Sequence, residues 1–151
     1  MRHGERWVAL IRGEDRPGTL TALNSVFSTR GVSFESLATG AVDGDAGTIA
    51  VTFLATARRQ QLLARTVERL SVVRSVDVRS AEDPTVRAAG VIRMPDGAAF
   101  APLADRPVRW SGDATAGQPV LVEGTLADVT AVLEEARIRG SAMTAVVILG
   151  F

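Results

Sequence analysis

Two hydrophobic periods alternate along the first eighty residues. Trp7 to Ile11 is a short apolar run and predicts a buried strand. Leu20, Leu23, Val26 and Phe27 then recur at helical spacing, which lays one apolar stripe against a sheet. Asp15 is placed to cap that helix, Pro17 suits its first turn, and Gly31, following Arg30, suits its end. Val32 to Ala41 predicts a second strand, and Asp43-Gly44-Asp45 a hairpin turn. Thr48 to Leu54, β-branched and aromatic, predicts a third strand. Arg58 to Leu70 predicts a second helix, with Leu62, Leu63, Val67 and Leu70 on one face, and Val73 to Val78 a fourth strand. The order βαββαβ is the ferredoxin-like arrangement, an antiparallel sheet with both helices on one side.

The rest of the chain is less regular. Ala81 to Ala89 reads as a linker between a domain at 6–80 and a smaller α+β domain at 90–151. Val91 to Met94 and Val108 to Trp110 are short strand candidates within a stretch rich in Pro, Gly, Ala and Asp. Val120 to Glu123, Leu126 to Ile138 and Met143 to Leu149 form a clearer strand–helix–strand unit, with Leu126, Val129, Val132, Leu133 and Ala136 as the helix's apolar face. Gly124-Thr125-Leu126 and Arg139-Gly140 echo Gly18-Thr19-Leu20 and Arg30-Gly31. The echo marks either a degenerate repeat of the first unit or two unrelated helices with common caps.

Composition narrows the function. The 151 residues carry 17 basic and 17 acidic side chains, so there is no cationic excess to neutralise phosphates, and nucleic acid is not an expected partner. Cysteine is absent, which removes disulfides and thiolate metal sites. No apolar run reaches the roughly 20 residues that cross a bilayer, and MRHGERW carries no signal-peptide core. The expectation is a cytoplasmic protein with no membrane partner, cofactor or metal.

Catalytic groups are scarce. His3 is the sole histidine and has no cysteine to activate. Asp128, Glu134 and Glu135 read as a solvated helix face, and Arg58 and Arg59 as surface charge or an acidic partner's contact. Gly112, Gly117 and Gly124 are not followed by the Gly-Lys-Ser/Thr of a phosphate loop. Trp110, with Phe100 and Leu103, either packs or lines a second-domain pocket. The strand–turn–helix from Trp7 is more informative. A turn delivering Gly18 to a helix start offers backbone N–H groups near Gly18 to Leu20 to a carboxylate, while Asp15 could meet an ammonium. The same Asp-x-Pro-Gly is simply a good way to start a helix, and spacing alone favours that plainer reading.

That run, WVALIRGEDRPGTLTALNSVFSTRGVSFESLATG, resembles the start of an ACT domain, and within that superfamily the regulatory small subunit of acetohydroxyacid synthase. The resemblance covers Arg6 to Asp83. The family's ligand turn corresponds to Asp15, Arg16, Pro17, Gly18, Thr19 and Leu20, and its G-x-N-I-E-S-L stretch to Gly31-Val32-Ser33-Phe34-Glu35-Ser36-Leu37. Glu35, Ser36 and Leu37 match; Ser33 and Phe34 replace asparagine and isoleucine, which alters the pocket's donors and size. The resemblance implies a non-catalytic protein holding a small, possibly branched-chain, amino acid between two ACT units of a homodimer. The turn of one protomer and the start of the second strand of the other, Ser33 and Phe34, would supply the site. It also implies a catalytic enzyme subunit as partner. A ligand-free dimerisation module is the alternative. The C-terminal part lacks the family's R-E-[LIM]-x-L-[VI]-K-like opening.

Overall fold

The computed structural model of the chain describes residues 4–14, 16–40, 44, 46–102 and 105–150. They form two compact units, Met1–Ala81 and Glu82–Phe151. His3, Asp15, Ala41, Asp43, Asp45 and Leu103 lie outside the described residues.

In the first unit β1 (Glu5–Glu14), α1 (Pro17–Thr29), β2 (Phe34–Thr39), β3 (Ala46–Ala55), α2 (Ala57–Glu68) and β4 (Val73–Ser80) follow the expected βαββαβ order. The strands are all antiparallel, in the spatial order β2-β3-β1-β4. One face carries Ala9, Ile11, Val51 and Phe53, on which Leu23 and Phe27 of α1 and Leu63 and Val67 of α2 are buried. Val76 and Val78 pack on the same cluster. Two apolar positions leave the predicted stripes: Leu20 and Leu62 are about two-fifths exposed. The N-terminal cap also differs from expectation. Arg16 is the N-cap residue in extended conformation and provides no side-chain hydrogen bond.

The second unit consists of β5 (Arg87–Arg93), β6 (Arg109–Ser111), a single 3-10 turn (Ala114–Ala116), β7 (Val120–Thr125), α3 (Leu126–Ile138) and β8 (Met143–Gly150). β5 begins inside the stretch read as a linker. Its inward Ala88 and Ile92 are fully buried, which holds the segment in the sheet. All five predicted apolar residues of α3 are buried. The strand order is β6-β7-β5-β8. Numbered within the unit this is second-third-first-fourth, the same as in the first unit. The second unit is therefore a ferredoxin-like sheet with no helix among the described residues between its first and second strands.

The sequence echo pairs the wrong helices. α3 lies between the third and fourth strands of its unit, as α2 does, whereas the echo aligns it with α1. Thr125 is the N-cap of α3 and accepts from Asp128 N–H, as Thr56 of α2 accepts from Arg59 N–H; Thr19 is three positions into α1. What Arg30-Gly31 and Arg139-Gly140 share is a helix stop. Gly31 (φ 69°) and Gly140 (φ 93°) turn left-handed. Val32 N–H then bonds Phe27 carbonyl, and Ser141 N–H bonds Ala136 carbonyl, both at 2.9 Å. Common capping chemistry accounts for the Arg-Gly half of the echo, and the repeat exists without it.

Candidate functional site

A cavity of about 240 Å³ opens where β1 hands over to α1. Gly13 and Glu14 at the end of β1 form one wall, Arg16, Thr19 and Leu20 a second, and Thr39, Gly40, Gly47, Thr48 and Ile49 at the β2 and β3 ends a third. The volume is below the roughly 300–1,000 Å³ of drug-sized sites, and suits a smaller ligand. Leu20 is displaced from the core because it lines this space, and Ile49 adds a second apolar wall.

The handover is tightly specified. Gly13 sits at a break in the β1–β4 register. A Cβ there would lie 2.9 Å from the Val72 carbonyl oxygen, which also accepts Glu14 N–H at 2.8 Å. Arg16 N–H bonds Glu14 carbonyl at 3.0 Å, and the Thr19 hydroxyl bonds the same oxygen at 2.7 Å. Thr19 N–H donates to Arg16 carbonyl at 3.1 Å, and Pro17 has no N–H to give. Of the expected group of donors from Gly18 to Leu20, Thr19 N–H is thus taken within the turn, and Gly18 N–H has no backbone partner among the described residues.

Charge at the cavity comes from a pair that the sequence reading did not assemble. Arg16 Nε lies 2.9 Å from Glu14 Oε2, with both side chains substantially exposed. Exposed pairs contribute roughly 0–1 kcal/mol, so a charged ligand can displace this one cheaply. Glu14 was missed because it reads as the polar end of a strand; its signal was that it immediately precedes the turn. The β2–β3 wall was missed because pairing, not spacing, brings Thr39 and Thr48 beside Arg16.

Ser33 and Phe34 are elsewhere in this chain. Phe34 pairs with Phe53, which pairs with Trp7, while the cavity lies at the Gly13–Gly47 end of the sheet. Six residues along β1 separate those ends, about 20 Å at ~3.3 Å per residue. Ser33 is exposed; the Phe34 ring meets Phe27 edge-on at 4.5 Å and is half-buried on the core. The matching Glu35-Ser36-Leu37 segment has local partners. A register shift between Phe34 and Ser36 accommodates Glu35, which takes Arg6 at 2.7 and 3.1 Å; Ser36 bonds the Thr52 hydroxyl. Leu37 is two-fifths exposed on this edge strand.

Three of the other candidates have structural partners. Glu134 pairs with Arg137, and Asp128 accepts from the Thr125 hydroxyl at 2.8 Å. Trp110 meets Phe100 edge-on at 5.2 Å while nearly half exposed. Among the described residues no group of three His, Cys, Asp or Glu side chains could hold a metal ion, and no helix is long and apolar enough to cross a membrane.

No family model matches the sequence, and no curated protein matches it. Solved structures do. The acetolactate synthase small subunit from Thermotoga maritima superposes over 100% of this chain and 98% of its own, with a TM-score of 0.67 at 12% identity. The ligand-free regulatory subunit of aspartate kinase from Thermus thermophilus matches over 89% and 91%, with a TM-score of 0.52 at 16% identity. The ACT domain of GTP pyrophosphokinase from Chlorobium tepidum covers 50% of this chain and 99% of its own, at TM-score 0.44 and 17% identity. At these identities the likeness is one of fold: two ferredoxin-like units in tandem, an architecture shared with the acetolactate synthase small subunit from Thermotoga maritima.

Proposed function

We propose that the chain is a cytoplasmic, non-catalytic regulatory protein that binds a small amino acid at the β1–α1 cavity and modulates a metabolic enzyme. The observation that carries this reading is one small cavity lined by Glu14, Arg16 and Thr19, at the turn where α1 begins. A carboxylate would take the Gly18 N–H and the Arg16 guanidinium, with the α1 dipole adding about 0.3–1 kcal/mol. The ammonium would take Glu14, with Asp15 adjacent in sequence. Leu20 and Ile49 favour an apolar, branched side chain on the ligand.

A second copy would complete the assembly. β2 is an edge strand, and pairing it would cover an exposed backbone edge. Ser33, remote from the cavity within one chain, could then approach the partner's turn, whereas Phe34 is engaged with its own core. A ligand bridging two protomers binds the paired state better than the separated one, and shifts the equilibrium by that difference alone. The fold shared with the acetolactate synthase small subunit favours a thiamine-dependent synthase of branched-chain biosynthesis as the target. The core position of Phe34 also supports the rival reading, a ligand-free pairing module.

A thermal-shift screen of the whole chain against the standard amino acids, each at millimolar concentration, decides between them. A ligand at 100 times its Kd stabilises by about 2.7 kcal/mol. A selective shift that Gly18→Asp abolishes is expected. No shift with any amino acid would leave the pairing module.

A further inference from the structure

The second unit has its own cavity, of about 300 Å³, at the topological place that the first unit's cavity holds. It lies at the end of that unit's first strand, beside Arg93, and between the turn that follows (Met94 to Asp96) and the connection from second to third strand (Ala114 to Gln118). The first cavity is likewise bounded by the end of β1, the turn after it, and the ends of β2 and β3. A backbone tie also recurs, with donor and acceptor exchanged. Glu14 N–H bonds the carbonyl of Val72, just before β4; Ala142 N–H, just before β8, bonds the carbonyl of Arg93 at 2.7 Å. In each unit the end of the first strand is tied to the residue that precedes the fourth.

The helix start is what the second cavity lacks, so any carboxylate there must be met by side chains. Arg93 and Asp96 both line it, are exposed, and form no ion pair with each other. Gln118 faces it with its carbonyl occupied: Oε1 accepts Asp113 N–H at 2.9 Å, which leaves the amide N–H groups as donors. That wall is rigid. Asp113 Oδ1 accepts Thr115 N–H at 3.0 Å and Ala116 N–H at 3.3 Å, and Asp113 carbonyl accepts Gln118 N–H at 3.0 Å. A fixed wall loses little freedom when a ligand arrives. Ala114 is buried and Met94 half-buried, giving the floor an apolar part.

We propose that this cleft is a second ligand site, selective for a small zwitterion. The carboxylate engages the Arg93 guanidinium and the Gln118 amide, the ammonium engages Asp96, and a short apolar group rests on Met94 and Ala114. The assignment goes beyond the reading of the first unit and stands on the second unit's own residues.

Titration of the ¹⁵N-labelled full chain with each standard amino acid, to tens of millimolar, tests it residue by residue. The expected result is a saturable shift of resonances at 93–97 and 113–118 with a midpoint of its own. Arg93→Ala and Asp96→Asn should each raise that midpoint about tenfold, the weight of one charge-assisted hydrogen bond. Shifts at 13–20 and 39–49 should be unchanged in both variants, whose spectra also report that they fold. No saturable shift at 93–97 and 113–118, or one that ignores both substitutions, overturns the proposal. A silent first cavity beside a responsive second would instead count against the function proposed for the first unit.

Discussion

The Thr19 hydroxyl donates to the Glu14 carbonyl at 2.7 Å, and so ties the first turn of α1 to the last residue of β1 across the mouth of the cavity. Thr19 is almost fully buried, and water cannot replace the bond. Thr19→Val keeps the shape and removes the donor. The expected cost is about 1 kcal/mol, seen as a drop of several degrees in the first unit's melting transition. An unchanged transition would show that the backbone bonds alone hold the turn.

Gly13 and Gly18 flank that turn and behave oppositely. A Cβ on Gly13 would press on the Val72 carbonyl at 2.9 Å, where neither backbone can move without breaking the β1–β4 pairing. Gly13→Ala is therefore expected to destabilise by roughly 1–3 kcal/mol, as overpacking does. Denaturant melts of this variant should move to lower midpoint with an unchanged slope.

At Gly18 a Cβ would meet nothing within 4 Å, and the backbone is ordinary helix. Within one chain the glycine serves no purpose, and Ala should stabilise the free protein by up to about 1 kcal/mol. If Gly18 instead admits a carboxylate to its N–H, Gly18→Ala should melt higher alone yet respond less to the amino acid that shifts the parent. A variant that melts higher and responds as fully as the parent would remove Gly18 from the site.

Legibility in the sequence followed the range of the forces involved. The boundaries of α3 were readable to the residue because its five apolar positions, its Thr125 start and its Gly140 stop all lie within fifteen residues of each other. The first unit's element order was readable for the same reason. The second unit's repeat was not. It is declared by strand pairing between residues up to some sixty apart, such as Arg93 with Met143 on one side and Arg87 with Thr125 on the other. The cavity was half legible: the turn is local, but Thr39 and Thr48 arrive through the sheet. Outward positions of β4 are polar (Ser75, Asp77, Arg79), whereas Ala145 and Val147 of β8 are apolar and exposed; the alternation that helped in one unit was missing in the other.

Glu35 and Arg6 form a two-point ion pair that spans β3, from the best-matched part of the family resemblance. Both side chains are a third or more exposed, so Glu35→Ala should cost less than about 1 kcal/mol, and less still in high salt. If Glu35 acts only in this pair, the amino-acid response should survive the substitution. A lost response at near-parental stability would mean that the residue contributes to pairing with a second copy.

Asp113 supplies a pH signature for the second unit. The Thr115 hydroxyl, bonded to Asp113 Oδ1, holds the carboxyl below its ordinary value; desolvation opposes this, and the Ala116 and Thr115 N–H groups reinforce it. A carboxyl whose folded pKa is depressed stabilises the fold above its unfolded pKa, about 3.9, and the contribution disappears as pH falls through the folded value. Asp113→Asn keeps an acceptor oxygen and removes the charge. The parent should therefore melt above the variant by a constant margin from neutrality to about pH 5, and the margin should shrink below pH 4. Comparing the two proteins cancels the titration of every other carboxylate. A margin that persists into acid would mean that the substitution disturbs the turn's geometry and that the charge contributes nothing.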